Sequence, residues 1–536
     1  MLGRTATEKS IMLISFYNPK ALGVRYLEKS LKDAGYQVYI VFMKAFNSKN
    51  PEKVTEMELE LLRDVINQVQ PGLIGLSVMT TLYLETVFAV NKYIRSNFKI
   101  PIVWGGVYPT LFPEECLKHA DFVIRGEGEK AIVELAGALG TWSGALYNNS
   151  PNRESGDEST DNNNLYRALE NIQNLAYMKT AQGKALQGKD QNIVINEMAP
   201  LCQNLDAYGY PEIGGDNKFY IDNNRLIRRD PQQDSISYEL ATSRGCPFSC
   251  TYCCTPSIRR IYSGKGNYVR FRSVDSVISE LVCAKKNIKR LKIIRFWDEI
   301  FPGDDVWIDE FARRYKREIN LPFEIWVHPL KIKYSAIKKL VDAGLYKAVM
   351  GIQSGSVRIR REIFGRYESQ EDIINASKIL SECRVPRIVY DFILGHPFET
   401  EEDIRQSFDL CMKLEQPFEL QLHSLNFFPG TDIVKKAVEH NVISREKLEK
   451  IMYGPIKEQY RSYWEKSIDD TRINFWYSLI YMTQFKSMRP LADLLSKHSF
   501  KYSFPVELSI KLQKSLLPVS RIRDYMKKLY LILHEG

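Results

Sequence analysis

Short apolar runs separated by stretches of helical spacing dominate the first 140 residues. The runs are MLISFYN (12–18), QVYIVFM (37–43), LIGLSVMT (73–80), IPIVWGG (100–106) and FVIRGEG (122–128). Between them apolar positions recur at helical intervals, as at Leu27, Leu31 and Ala34, or Leu59, Leu62, Val65 and Ile66. Buried strands alternating with helices predict a doubly wound, Rossmann-like α/β domain over 1–140, with ligands at the C-terminal ends of its strands. The pattern then lapses. Segment 143–164 is rich in Asn, Ser, Asp and Gly and reads as a mobile loop or linker, and 165–236, with its apolar patches NLAYM, NIVI and FYID, as an irregular connector with short strands, so 141–236 joins two domains. A second series follows, with strands expected at 237–245, 292–299, 323–329, 347–354, 387–395 and 420–429. Helical spacing lies between them at 274–286, 305–318, 335–343, 370–383 and 401–414. Six strand–helix units predict a partial (β/α)6 barrel over 237–430, with chemistry on the loops after the strands. The remainder, 431–536, reads as a helical C-terminal domain.

Composition narrows the class. The chain has 536 residues, 44% hydrophobic and 26% charged, an ordinary globular balance. No run of about 18 uninterrupted apolar residues predicts a membrane span, and MLGRTATEKS lacks a secretory pattern. Nine cysteines at this length make no disulfide scaffold, so a reducing, cytoplasmic setting is expected. The net charge is +9, and from Thr431 onward 19 basic residues face 12 acidic ones. A solvated helical face is the ordinary reading of that excess, and no nucleic acid is expected as a partner. The closing RIRDYMKKLYLILHEG is basic and amphipathic, which leaves contact with a membrane surface open. Tail aromatics such as Tyr460, Phe475, Trp476 and Tyr477 read as core.

Four cysteines crowd into ATSRGCPFSCTYCC. Cys246, Cys250 and Cys253 form C-x3-C-x2-C directly after the first barrel strand. Three thiolates on one loop suit a 4Fe–4S cluster with one open iron, whereas a structural zinc takes four ligands and no second pair follows. Cys254 is left out, because neighbouring side chains on extended backbone point apart.

From Ser237 to about Pro429 the chain resembles the radical S-adenosylmethionine (SAM) superfamily, through this motif and the aromatic Tyr252 before its last cysteine. The resemblance implies a barrel whose open iron binds SAM, and an electron donor of flavodoxin or ferredoxin type. It also assigns SAM contacts to Tyr252, to Asp298 and Glu299 ending RFWDE, to Gln353 and Ser354 in MGIQSGS, and to Gly395 in DFILGHPFET. Carboxylates suit the SAM ammonium, and a glycine permits close backbone approach.

The first domain has its own signature in SVMT (77–80), WGGVYPT (104–110) and RGEGE (125–129), each at a strand end. As a set these resemble the cobalamin-binding domain that precedes many radical SAM barrels. Its implied contacts are Ser77, Thr80, Gly105, Gly106, Val107, Tyr108, Gly126, Glu127 and Gly128. One departure stands out. Where methionine-synthase-type domains carry D-x-H-x-x-G, this chain has Asn18-Pro-Lys-Ala-Leu-Gly23, with Lys20 in place of the histidine. The expectation is cobalamin without a histidine lower ligand, His119 being a surface residue of a helix.

Together the two halves resemble cobalamin-dependent radical SAM methyltransferases, which move a methyl group to an unactivated carbon or phosphorus of a small molecule or natural product. Cyclisation or oxidation with the same cofactors, as in an anaerobic porphyrin-ring cyclase, is the alternative. A tRNA methylthiotransferase is rejected, because the first 200 residues hold only Cys116. No catalytic acid or base is named. Tyr262, His328, His396 and His423 lie in or near the barrel loops and read as structural.

Overall fold

In the computed structural model, residues 10–47, 51–140, 158–179, 192–464 and 471–497 are described. They fall into two compact units. The first takes the described residues up to Asp234, with Ser257–Tyr268 and Met452–Lys457. The second takes Ser235–Pro256, Val269–Ile451 and the described residues from Glu458 onward.

The five expected strands of the first unit are β1 (Ser10–Phe16), β2 (Gln37–Met43), β3 (Leu73–Ser77), β4 (Ile102–Gly105) and β5 (Phe122–Ile124). They lie in the order β5-β4-β3-β1-β2 and are mutually parallel. The chain reverses direction across the sheet between β1 and β3, which makes their C-terminal ends the place for a ligand. Alternation along β1 feeds two cores. Met12 and Ile14 face one with Leu62, Val65, Val87 and Val90, while Ile11 and Leu13 face the other with Leu31, Ile132 and Leu135.

Segment 165–236 holds short strands at the three apolar patches of its sequence, and they join the sheet rather than a separate connector. It supplies β6 (Leu175–Lys179), β7 (Asn192–Ile195), β8 (Lys218–Asp222) and β9 (Arg225–Ile227), which extend the sheet to nine strands at both edges. Residues 158–164 of the expected loop begin a helix, Glu158–Glu170; the rest of it lies outside the described residues. Buried ion pairs seat the added strands: Lys218 Nζ on Glu28 at 2.9 Å and Arg25 on Asp230 at 2.6 Å. These side chains lie on helix Leu22–Asp33, on β8 and just after β9, too far apart in sequence for periodicity to reveal.

The second unit carries a six-stranded parallel sheet in sequential order: β10 (Ser237–Leu240), β13 (Ile293–Phe296), β14 (Phe323–Val327), β15 (Leu345–Gln353), β16 (Arg387–Ile393) and β17 (Glu419–His423). Between the first two, β11 (Ser243–Arg244) and β12 (Arg270–Phe271) form a small antiparallel pair. Helices 274–287, 305–318, 334–343, 370–382 and 401–413 follow successive strands, so the unit is a partial (β/α)6 barrel. Outward residues pack on those helices: Tyr238 hydrogen-bonds Glu280, Phe296 meets Phe311, and Tyr390 hydrogen-bonds Ser377.

The opposite face is charged. Glu239, Arg295, Glu324, Lys347 and Arg387 stand in register on five neighbouring strands. Their ion pairs run Glu239–Arg295 (3.7 Å), Arg295–Glu324 (3.2 Å), Glu324–Lys347 (3.1 Å) and Arg387–Glu419 (2.8 Å). A barrel interior is ordinarily filled by branched apolar side chains; here a neutral row of charges takes that place.

Of the expected helical tail, helix Thr471–Met482 buries Phe475, Trp476 and Tyr477 against the second unit. Trp476 Nε1 donates to Glu401 Oε1 at 2.9 Å. The basic amphipathic terminus lies outside the described residues. Among the described residues no helix is long and apolar enough to cross a membrane.

Candidate functional site

The loop after β11 carries the cysteines. Cys246, Cys250, Cys253 and Cys254 are half-buried and engaged in no disulfide among the described residues. Segment 359–368 grips the loop from behind. Thr251 N–H donates to Phe364 O (3.0 Å) and its hydroxyl to Ile363 O (2.6 Å). Gly365, at φ +64°, brings its backbone against Ser249, whose carbonyl a Cβ there would meet at 3.0 Å. Arg366 is buried and reaches the loop. Its guanidinium lies 3.9 Å from Cys250 Sγ, donates to Tyr252 Oη at 3.2 Å and to Gly351 O at 2.6 Å, and is held by Glu368 Oε1 at 2.6 Å. Glu368 also stands 3.6 Å from His328 Nε2, and that imidazole stacks on Phe248 at 3.8 Å.

Burial pushes the Cys246 thiol up to about 11 and raises that of Cys250, where the Arg366 charge opposes the rise. Cys253 moves down, because the Cys254 thiol and the Thr255 amide donate to its sulfur. Cys254 thus serves its neighbour as a hydrogen-bond donor. Among the described residues no three His, Cys, Asp or Glu side chains converge as they would on a single ion. Thiols that share a loop without meeting at a point, beside a compensating guanidinium, fit a group of several metal atoms.

The other strand-end residues divide by what already holds them. Asp298 is buried, and its Oδ1 accepts from Thr242 N–H and Oγ1 (both 2.9 Å) and from the Ser243 hydroxyl. Its Oδ2 is buried with no hydrogen bond among the described residues. Burial raises its carboxyl to about 7. Glu299 is exposed. Gln353 sits at a β-bulge with φ +70°, its amide folded over Gly351. Ser354 is fully buried, and its Oγ accepts from Ser356 N–H at 3.1 Å, so its hydroxyl closes a turn. Gly395 lies at φ +73° with Tyr477 Oη behind it, where a Cβ would approach to 2.4 Å. Burial lowers His328 to about 2 and His396 to about 3, so both imidazoles are neutral at ordinary pH.

In the first unit the ends of β3, β4 and β5 are stitched together. Val78 N–H donates to Gly105 O (2.7 Å), Tyr108 N–H to Val78 O (3.2 Å), and Gly126 N–H to Thr110 Oγ1 (2.7 Å). Gly106, at φ +117°, lies so close to Val78 that a Cβ would meet its carbonyl oxygen at 2.6 Å. Ser77, Thr80, Gly105 and Val107 stay half-exposed at this edge, and among the described residues other than its chain neighbours Gly105 has only Ile124 O within 4 Å of where a Cβ would stand. That open backbone fits a large ligand laid across the strand ends. Tyr108 is buried. The RGEGE glycines are spent differently: Gly126 faces Tyr262, and Gly128 packs on Ile124 and Leu27. Glu127 N–H donates to Tyr262 Oη at 2.8 Å, and its carboxylate accepts from Tyr208 at 3.2 Å. His119 is exposed, in the turn after helix Pro113–Leu117, and stacks on Trp104 at 5.8 Å.

Sequence reasoning missed Arg366, Glu368 and the lumen row, since each acquires meaning only from a strand or loop distant in the chain. Trp297, read only as part of RFWDE, is 47% exposed and stacks on Trp326 at 4.3 Å.

Residues 240–411 match the radical SAM superfamily and residues 11–136 match the B12 binding domain. The two matches define an iron–sulfur SAM enzyme that also carries a corrinoid domain. An uncharacterized methyltransferase of Pyrococcus horikoshii, PH0819, is 26% identical over 398 residues, covering 71% of this chain and 72% of that protein. The anaerobic magnesium-protoporphyrin IX monomethyl ester cyclase of Cereibacter sphaeroides is 21% identical over 405 residues, covering 72% of this chain but 55% of the cyclase. Among solved structures, the radical SAM methyltransferase TsrM of Kitasatospora setae, bound to tryptophan and a SAM analogue, superposes with a TM-score of 0.58 at 18% identity. It covers 81% of this chain and 76% of TsrM, a likeness of fold. The chain belongs to the cobalamin-dependent radical SAM enzymes of methyltransferase-like type.

Proposed function

We propose that the protein transfers a methyl group to an unactivated carbon or phosphorus of a small molecule. When bound, the cluster, SAM and cobalamin supply the radical that removes a substrate hydrogen and the carrier of the methyl group. The observation that carries this reading is the pairing, in one chain, of a three-thiol loop at a barrel strand end with stitched strand ends in a doubly wound unit.

The chain's own residues have distinct tasks in this reading. Cys246, Cys250 and Cys253 hold the cluster, and Arg366 offsets their negative charge. Asp298 holds the approach to the loop with one oxygen and offers the other to the SAM ammonium, beside Glu299. Tyr252, Gln353 and Gly395 border the same strand ends. Ser77, Thr80, Gly105, Gly106, Val107 and Tyr108 receive the corrinoid, with Gly126, Glu127 and Gly128 shaping the neighbouring loop. Lys20 in the place of the usual histidine, with His119 stacked on Trp104, supports cobalamin without a histidine lower ligand. Histidine-derived hyperfine structure in the EPR spectrum of the cob(II)alamin form would contradict that detail. A flavodoxin- or ferredoxin-type donor and a reducing cytoplasm suit a cluster that must be reduced to cleave SAM.

The test is anaerobic reconstitution with SAM carrying a deuterated methyl group. The expected result is one S-adenosylhomocysteine and one 5′-deoxyadenosine per labelled product. A product without mass gain would support the cyclase-type reading, which the similarity to the porphyrin cyclase favours. No SAM cleavage under strong reductant would overturn both.

A further inference from the structure

We infer that Arg366 is the positioning residue that sets how readily the iron–sulfur group of the cysteine loop takes up an electron. It acts through Cys250, with Glu368 as the opposing charge. The inference deepens the enzyme reading above and rests on it for the presence of the group.

The arrangement fixes a cation against one sulfur. Arg366 follows Gly365, whose φ of +64° turns the chain toward the loop, and its own N–H donates to Arg360 O at 2.7 Å. The residue is 5% exposed, and each guanidinium nitrogen has a partner. Nε donates to Glu368 Oε1 at 2.6 Å, Nη2 to Gly351 O at 2.6 Å and Nη1 to Tyr252 Oη at 3.2 Å. Cys250 Sγ lies 3.9 Å from that same Nη1. The Tyr252 hydroxyl, accepting from Arg366, donates in turn to the Cys250 sulfur. A planar fork held at all three nitrogens keeps its charge in place.

Glu368 is buried too. Its Oε1 is on the Arg366 Nε, and its Oε2 stands 3.6 Å from His328 Nε2, longer than a hydrogen bond. That imidazole is neutral, and its Nδ1 accepts from Leu330 N–H at 3.3 Å. The buried pair therefore sums to zero, and which sign Cys250 senses depends on which member stands nearer. The guanidinium does. The Cys250 thiol responds accordingly, drawn down more by Arg366 than it is raised by Glu368. Cys253 differs, since its sulfur leans on neutral donors, the Cys254 thiol and the Thr255 amide.

One-electron reduction by a low-potential donor adds one negative charge to the group that the thiolates hold. A buried cation beside Cys250 stabilises that added charge, and a carboxylate behind the cation opposes it. Arg366 thus makes reduction easier, and Glu368 limits the effect.

The test is a potential titration of the reconstituted full-length protein without SAM, using dithionite and low-potential dyes, followed by EPR. Arg366→Gln is expected to lower the reduced-to-oxidised ratio at a fixed potential about tenfold, or about 59 mV for a one-electron couple. Glu368→Gln is expected to raise the ratio about threefold, and Arg366→Lys, which keeps the charge, to stay within about threefold of the unaltered protein. A charge effect demands opposite signs from the two Gln variants, whereas mere bracing of the loop moves both alike. Shifts of one sign, or no shift in either, overturn the inference, as does Arg366→Lys behaving like Arg366→Gln. Should Arg366→Gln hold no iron, Glu368→Gln decides, and a ratio that does not rise overturns the inference; iron lost from both also overturns it. SAM cleavage by the unaltered protein separates the two readings. Shifted potentials without cleavage sink the enzyme reading alone, cleavage with unshifted potentials sinks this inference alone, and an unaltered protein that holds no cluster sinks both.

Discussion

A single buried carboxyl gives the protein a measurable pH signature. Asp298 sits at about 7 in the fold because burial disfavours its anion. Since the folded value exceeds the unfolded one of about 4, the folded state holds its proton more tightly. That contribution is complete below about pH 4 and disappears as pH rises through about 7. Cofactor-free protein should therefore lose stability over this window in urea titrations, and Asp298→Asn should flatten the profile. Gly106→Ala should cost about 2 kcal/mol or more, because the residue must both hold φ +117° and accommodate Val78 O; the urea midpoint of the first unit reports it. At this scale the sequence speaks only where chemistry is local. The C-x3-C-x2-C loop was readable because its donors sit within eight residues. Arg366, which touches Cys250 from 116 residues away, was not. Ser354 shows the converse: a polar strand end looked available, yet its hydroxyl closes a turn.

At the level of elements, periodicity located all six barrel strands, because outward side chains buried against helices enforce a repeat of two. The other face escaped notice as a set. Glu239, Arg295, Glu324, Lys347 and Arg387 look like isolated surface charges until register aligns them. Strands β6–β8 were legible as short apolar patches, but not their place at or near the edges of the first sheet, since buried ion pairs rather than apolar alternation seat β8. Two changes test these elements. Glu324→Gln leaves Arg295 and Lys347 facing each other with one neutral partner, and should destabilise by about 3 kcal/mol, whereas replacing all three with Met should be far milder. Thr400→Ala removes the cap of helix 401–413 and should cost about 1 kcal/mol in the same titration. Asp403, which completes that cap and binds Arg358 and Ser356, is held at about 2. Its contribution is present above about pH 4 and is lost as pH falls toward 2.

For the whole molecule, the decisive prediction concerns metal content. Alanine at Cys246, Cys250 or Cys253 should abolish the iron–sulfur absorbance and SAM cleavage, while Cys254→Ala should retain both, since Cys254 acts as a donor to Cys253. Added cobalamin should raise the melting point of each cysteine variant by as much as that of the unaltered protein, measured side by side, because its proposed site lies in the first unit.

The path of the chain through its two units carries a lesson for anyone dividing the gene. The first unit is not finished at Asp234: Ser257–Tyr268 and Met452–Lys457 belong to it. From these returns come the Tyr262 hydroxyl against Gly126 and Ile456 in the apolar core. A fragment ending at residue 234 would be born with a hole beside its own ligand loop, and its remainder with two orphaned passages. Neither half is a portable module. Recombination that swaps barrels among relatives must exchange three stretches of sequence at once, so the two units are expected to have been inherited as one block.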